Sequence, residues 1–312
     1  MTAKSAMATF TATPPKSSWL ASLSLTFSFT PKGSQLVRTK RNGPLSVQKA
    51  FYPEGRGCAH VYLLHPPAGI VSGDELTINI DVEHKAHCLI TTPGANRFYR
   101  AREDRSIGDS KQLQHCEVNL ASQAQCENFP LETIVYEGAD GVNTVDVYLQ
   151  KDSAYIGWDI TCLGLPSSGQ FFSQGSYTQL NRVFCQSERN EKSNEQSLLI
   201  YHDRIVIKPS NNIHHHIAGL NNHSVFATFM AYAPEGQLSD TENKALVEQL
   251  RDCMMEAKAE NKVSISQIRS LLIIRYLGEQ AEECKGLFVQ LWQLIRPLYL
   301  NKEANIPRVW HT

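Results

Sequence analysis

The stretch Glu75-Leu-Thr-Ile-Asn-Ile-Asp-Val82, ELTINIDV, decides how this chain is read. Leu76, Ile78, Ile80 and Val82 fall on one side of a two-residue period, and Thr77, Asn79 and Asp81 on the other. Strict alternation of this kind is a half-buried β-strand, because successive side chains of an extended backbone point to opposite faces. Outward from it run HVYLL (60–64), HCLIT (87–91), CEVNL (116–120), ETIVYEGA (132–139), NTVDVYL (143–149), AYIGWDITCL (154–163) and SLLIYHDRIVI (197–207). Gly, Pro, Asn and Asp often punctuate the intervals. No long amphipathic helical pattern separates these runs, which excludes a parallel doubly wound sheet. The expectation is a mainly β protein, with a β-helix-like or stacked-sheet body up to about residue 233.

After Ala233 the period changes. Ser239 and Glu242 have capping-box spacing, and Leu246, Leu250 and Cys253, with Val247 and Met254 beside them, share a helical stripe. Ser270–Gly278 reads as a buried strand. A second helix carries Cys284, Leu287, Phe288, Leu291, Trp292 and Ile295 on one face and is expected to end near Pro297. The C-terminal part is therefore a small two-helix unit, helix–strand–helix over about 239–300. Residues 1–18, rich in Ala, Thr, Ser and Pro, read as a flexible arm, and 19–312 as one domain. The polar run SERNEKSNEQS (187–197) reads as a mobile hairpin loop or insertion.

Bulk properties exclude several classes. A chain of 312 residues with 42% hydrophobic content can bury a sizeable core. A formal net charge of -1 supplies no global field towards nucleic acid or an anionic membrane. No window approaches the ~20 apolar residues of a membrane span. The eight cysteines include no two closer than ten residues, so there is no CxxC pair for a zinc ribbon or a redox dithiol. The expectation is buried free thiols in a reducing cytoplasm.

LLHPPAGIVSGDEL (63–76) concentrates the chemistry. Three residues separate Gly69 from Gly73, and two acids follow, so neither a Walker loop nor a dinucleotide fingerprint is present. Pro66 and Pro67 cannot extend a central strand, and the two Gly residues suit turns. His65, Asp74 and Glu75 are also acceptable ligands for a borderline divalent metal. His214 and His216 would share one face of a strand and form a weak surface metal site; a plain polar loop or strand is the alternative. GANRFYRARED (94–104) interleaves Arg97, Arg100 and Arg102 with Phe98 and Tyr99, a composition that suits a protein interface. No G-x-S-x-G elbow occurs.

Six stretches, GPLSVQKAFYPEG (43–55), LLHPPAGIVSGDEL (63–76), TTPGANRFYRA (91–101), ETIVYEGA (132–139), WDITCLGLPSSGQFF (158–172) and PRVWHT (307–312), come in an order that resembles the urease accessory protein UreD family, called UreH in some bacteria. The resemblance spans about Trp19 to Thr312. It implies a non-enzymatic chaperone that binds apo-urease and the accessory protein UreF, with the GTPase UreG carried through UreF. The accessory complex that it implies can be dimeric. No tightly bound cofactor is implied; Ni²⁺ is a transient cargo passed through an internal path to urease. The chain departs from the family at Ala68-Gly69 and Ser72-Gly73-Asp74, where Gly-Gly and Gly-Gly-Asp are usual. It departs also at Leu165 and Gln170, where Arg and Glu are usual, so Gln170 carries no metal role.

A bare divalent ion in apolar surroundings is prohibitively costly, so a path must be wet or lined with oxygen and imidazole ligands. It must also release the ion: a site near 1 nM corresponds to about 12 kcal/mol and traps it. The expected path residues are Asp74 and Asp159, by motif position, with Glu75 and His65 by ligand chemistry. The expected docking residues are Arg97, Tyr99, Arg100, Arg308 and Trp310. The alternatives are a passive structural adaptor without metal transfer and a β-fold hydrolase with a dispersed active site.

Overall fold

In the computed structural model, residues 19–106, 108–186 and 197–311 are described. The expected arm at 1–18 lies outside them, as does the polar run at 187–196. The strands of the body are β1 (Leu20–Thr30), β2 (Gly33–Asn42), β3 (Ser46–Val47), β4 (Ala59–Leu64), β5 (Glu75–Val82), β6 (His87–Thr91), β7 (Asn96–Phe98), β8 (Gln112–Leu120), β9 (Gln125–Phe129), β10 (Thr133–Val135), β11 (Asp140–Leu149), β12 (Ala154–Leu163), β13 (Ser176–Gln186), β14 (Ser197–Ile207) and β15 (Val225–Tyr232). Helix α1 (Asp240–Glu256), β16 (Val263–Ile268), β17 (Leu271–Gly278) and α2 (Ala281–Leu300) follow.

The chain winds as a parallel coil. From β4 to β13 it passes alternately between two sheets, one strand in each per turn. In one sheet β5, β8, β11 and β13 lie parallel in sequence order, and in the other β4, β6, β9 and β12 do. A narrow third side is made by β7 and β10. There Ile70, Phe98, Val135 and Leu163 stack in register, all buried. Antiparallel strands finish the sheets: β1 with β2, β13 with β14, and β12 with β15, β17 and β16. The expected β-helix-like body is thus present as two large mixed sheets.

Two apolar cores result. Between the sheets lie Leu25, Ile80, Val118, Val147 and Tyr155. On the outer face of the β12 sheet, α1 and α2 cover Ile156, Trp158, Ile160 and Phe229 with Leu250, Phe288, Leu291 and Trp292. Every residue of β12 is buried, because both of its faces are covered. Its Tyr155, Asp159 and Thr161 phase therefore looks into the space between the sheets, and its Trp158 phase looks at the helices.

Ser239 caps α1 as its spacing required: its N–H donates to Glu242 Oε2 at 2.8 Å, and Glu242 N donates back to Ser239 Oγ at 3.3 Å. One C-terminal expectation is corrected and one is sharpened. β16 pairs with β17, so the unit is helix–hairpin–helix. Helix α2 also continues through Pro297 to Leu300. Burial of Tyr299 and Leu300 offsets the lost backbone donor, and Gln237 Nε2 caps the Tyr299 carbonyl at the helix end at 3.1 Å. All eight cysteines are free, seven buried and Cys253 half-buried. Among the described residues, no helix is long and apolar enough to cross a membrane.

Candidate conduit through the β body

LLHPPAGIVSGDEL forms the corner between β4 and β5. The Ala68 N–H closes a turn on the His65 carbonyl at 2.8 Å, across Pro66 and Pro67. Ala68 itself has φ +58°, the left-handed region, at a place where the resembled family has Gly. Gly69 is needed for another reason: a Cβ there would stand 2.2 Å from the Tyr99 ring. Asp74 is buried, and its carboxylate ties the corner together. Oδ1 accepts from Trp19 N at 3.2 Å and Oδ2 from Val71 N at 3.0 Å. Glu75 is exposed at the start of β5.

The expected path residues therefore separate. His65 and Asp159 line one cavity of about 400 Å³. Asp74 stands behind the corner, where its charge offsets part of the effect of burial on His65, and Glu75 points away from the cavity into solvent. Burial holds the His65 imidazole below its ordinary pKa, so the ring is neutral at physiological pH, and its buried Nδ1 has no hydrogen-bond partner. Burial pushes Asp159 up to about 6, against hydrogen bonds from Thr161 and Asn143 that favour its charged form.

A row of polar side chains leads on from this cavity. Gln114, Asn143 and Gln179 occupy one register position on the parallel strands β8, β11 and β13. Asn96 Nδ2 donates to Gln114 Oε1 at 3.1 Å, Gln114 Nε2 to Asn143 Oδ1 at 3.1 Å, and Asn143 Nδ2 to Gln179 Oε1 at 3.1 Å. Gln179 Nε2 then donates to Asn181 Oδ1 at 3.1 Å, and Tyr177 Oη donates to Gln179 Oε1 at 2.9 Å. Asp159 joins the row from the opposite sheet, accepting from Asn143 Nδ2 at 2.9 Å. Gln179 and Asn181 line a second cavity of about 520 Å³, with Asp203, Thr228 and Arg275. Asp203 pairs with Arg275 at 3.1 Å there.

The two cavities thus abut at the Asn143–Gln179 contact, with Asp159 beside it. Amide and carboxylate oxygens at this spacing can replace water around a cation one ligand at a time. Neutral amides bind divalent ions weakly, which permits release. The sequence reading missed Gln114, Asn143, Gln179 and Asn181. Their signal was present in GVNTVDVYL and SYTQLNRVF, where amides occupy the same phase as Val145, Val147 and Val183. A buried amide on an apolar phase needs partners, and here the partners are one another.

The expected docking residues also divide. Arg100 is 62% exposed and pairs with Glu103 at 3.2 Å, and Arg308 is exposed. Arg97 lines the first cavity and donates through Nη1 to the Ala68 carbonyl at 3.1 Å. Tyr99 stacks on Tyr136 with centroids 5.3 Å apart. Trp310 is a correction: it is buried, donates from Nε1 to Thr91 Oγ1 at 2.8 Å, and packs among Phe129, Trp158 and Trp292. Its ring serves the core and is not a docking surface. His214 and His216 lie in a turn, not on a strand. His214 is half-buried beside His215, and His216 Nδ1 accepts from Ala218 N at 3.1 Å, so the pair does not converge as strand geometry would have it.

Comparison with known proteins identifies a family. The family described as UreD urease accessory protein matches residues 20–311. The chain is 61% identical over 304 residues to the urease accessory protein UreD of Psychromonas ingrahamii, covering 96% of each chain. It is 38% identical to that of a Marinomonas species, over 95% of this chain and 91% of the relative. It is 33% identical to that of Vibrio parahaemolyticus, over 95% and 97%.

Proposed function

The chain belongs to the UreD family of urease accessory proteins, and from that premise we propose that it is a non-enzymatic, cytoplasmic chaperone that hands Ni²⁺ to apo-urease. In this reading it bridges urease and UreF, with UreG engaged through UreF, and nickel is cargo that crosses the β body. The observation that carries the reading is the continuous polar row from Asn96 to Asn181, joining two cavities through the space between the sheets. A β body that only bridged partners would have no need of five amides and an acid on inward phases. Each buried polar group costs about 1–3 kcal/mol unless satisfied.

Asp159 supplies a carboxylate at the junction of the cavities. His65 supplies a neutral imidazole near the entrance. Asp74 fixes the corner that carries His65 and has a positioning role. Arg97 lines the first cavity, Tyr99 and Arg100 line a separate cleft with Tyr136 and Phe171, and the three suit partner docking. The competing reading is a passive adaptor, with nickel moving elsewhere. Reconstitution with labelled nickel separates the two. Asn143→Leu, in an intact complex with urease and the accessory proteins, blocks loading of urease under the conduit reading. Wild-type loading by that variant leaves the adaptor.

A further inference from the structure

The second cavity carries an ion pair at its rim, and the cation sits where the strand pattern calls for an apolar residue. On β17 the inward phase is Leu271, Ile273, Arg275 and Leu277. Leu271 and Ile273 belong to the core between the sheets, and Leu277 packs against it. Register places Arg275. Asp159 pairs with Thr228, Thr228 with Arg275 and Arg275 with Ser264, so one rung of the β12 sheet runs from the conduit acid to the edge strand β16. On the facing sheet, Asn181 pairs with Asp203 of the edge strand β14. The polar lining of the conduit therefore reaches the Asp203–Arg275 pair from both sheets.

Asp203 Oδ2 accepts from Arg275 Nη2 and from Tyr201 Oη, each at 3.1 Å, and from Thr228 Oγ1 at 3.5 Å. Arg275 Nη2 also donates to Tyr201 Oη at 3.3 Å. The side chains of Arg275 and Asp203 are 53% and 28% exposed, and both residues line the second cavity, so the pair stands where that cavity meets solvent. A partly exposed ion pair adds little stability, which leaves its inward position unexplained. A guanidinium has no acceptor and keeps its charge at any working pH. It cannot ligate a metal ion. Beside an inward carboxylate it cancels the attraction for a cation and repels the cation as well. The other cations at this cavity are differently placed. Lys262 pairs with Glu283 at 2.5 Å, and Arg204 follows Asp203 on the opposite phase of β14.

We propose that Arg275 is the gate residue of the second cavity: paired with Asp203, its guanidinium keeps divalent cations out of that cavity in the free protein. The proposal rests on the conduit reading and adds a control to it. The gate opens when the guanidinium leaves Asp203 for solvent, which its long, half-exposed side chain permits. Asp203 is then an unneutralised carboxylate at a cavity that the amides of Gln179 and Asn181 and the hydroxyl of Thr228 also line. One carboxylate among neutral oxygen groups attracts a divalent cation without trapping it, as passage requires. Closed, the same carboxylate is silent. A conduit with a permanent opening would exchange its cargo with bulk solvent, and a tethered cation at the rim prevents that.

The test titrates the full chain, free of partners, with Ni²⁺ by calorimetry. Arg275→Gln is expected to gain a binding event at least ~10-fold tighter than any at that place in wild type. Arg275→Gln with Asp203→Asn loses the gain, and Arg275→Lys, which keeps a cation at the rim, binds as wild type does. A purely structural Arg275 gives no gain of binding in any variant. Arg275→Met is a second opening variant, and thermal unfolding confirms that each variant tested is folded. Folded Arg275→Gln and Arg275→Met chains that bind no better than wild type overturn the proposal, as does a gain that survives Asp203→Asn. Urease is absent from this measurement. Normal loading by Asn143→Leu removes the conduit, whereas absence of the gain in binding removes the gate alone.

Discussion

Asn143 donates from Nδ2 to Asp159 Oδ2 across 2.9 Å, joining the two sheets of the β body at a point where both residues are buried. The same amide nitrogen reaches Gln179, so one side chain touches the acid and both halves of the polar row. Replacing Asn143 by Leu removes all of these bonds and inserts an apolar plug. Nickel loading of urease is expected to fall at least ~10-fold, equivalent to about 1.4 kcal/mol in the barrier. The check is nickel content per urease after reconstitution, with complex assembly verified by co-purification.

Asp159 gives a pH signature. Its folded pKa, about 6, lies above its ordinary 3.8. Between those values the native state holds a proton that the unfolded chain has released. The stability contribution is therefore full below about pH 4 and is lost as pH rises through 6. Asp159→Asn is expected to abolish that decline and to gain on the order of 2–3 kcal/mol at pH 7 relative to wild type. Denaturant unfolding at pH 4 and pH 7 measures it; an unchanged pH slope would refute the assignment.

Glu54 behaves oppositely. Hydrogen bonds and charge from His60 and Arg296 hold it at about 2 against an ordinary 4.5, despite the opposing effect of burial. Its stabilisation is present above 4.5 and is lost as pH falls towards 2. Glu54→Gln should flatten the acid limb of the stability curve, read by unfolding midpoints at pH 3 and pH 6.

Arg296 and Glu127 form a fully buried pair at 2.9 Å. Removing one partner strands a charge. Arg296→Met is expected to cost about 3–5 kcal/mol, and Arg296→Met with Glu127→Gln distinctly less. Additive losses in a double-mutant cycle would show that the two do not act as a pair.

At the β4–β5 corner, Gly69→Ala drives a Cβ into Tyr99 and is expected to cost about 1–3 kcal/mol. Ala68→Gly relieves a left-handed alanine and is expected to gain about 0.5–1 kcal/mol. Opposite shifts from adjacent residues are measurable by thermal unfolding. The same assay separates Trp310→Ala, at about 3–5 kcal/mol for an emptied core position, from Arg308→Ala, which should leave stability near wild type.

Local pattern carried much of the fold. The alternation in ELTINIDV, the Ser239–Glu242 cap and the stripe Leu246–Leu250 all reappear as β5 and α1, because strand and helix periods express which face is buried. Helix α2 ends at Leu300, at the expected bound of about 300 and just past Pro297, since one missing hydrogen bond weighs less than burying Tyr299 and Leu300. Trp310 was misjudged because a terminal aromatic carries no local sign of the pocket it fills.

The sequence by itself determined that the amides of β11 and β13 share the apolar phase of their strands; Asp159 shares the phase of Gly157 and Thr161, opposite Ile156, Trp158 and Ile160, and points inward because both faces of β12 are covered. Tertiary structure alone decided what they meet. Asn143 faces Asp159 because the coil brings β11 over β12, and Arg296 finds Glu127 from 169 residues away. Trp310 reaches Thr91 across 219. Alternation is a property of one strand, whereas register between turns of the coil depends on every corner between them. A polar side chain on an inward phase announces that it needs a partner, and only the assembled sheets supply one.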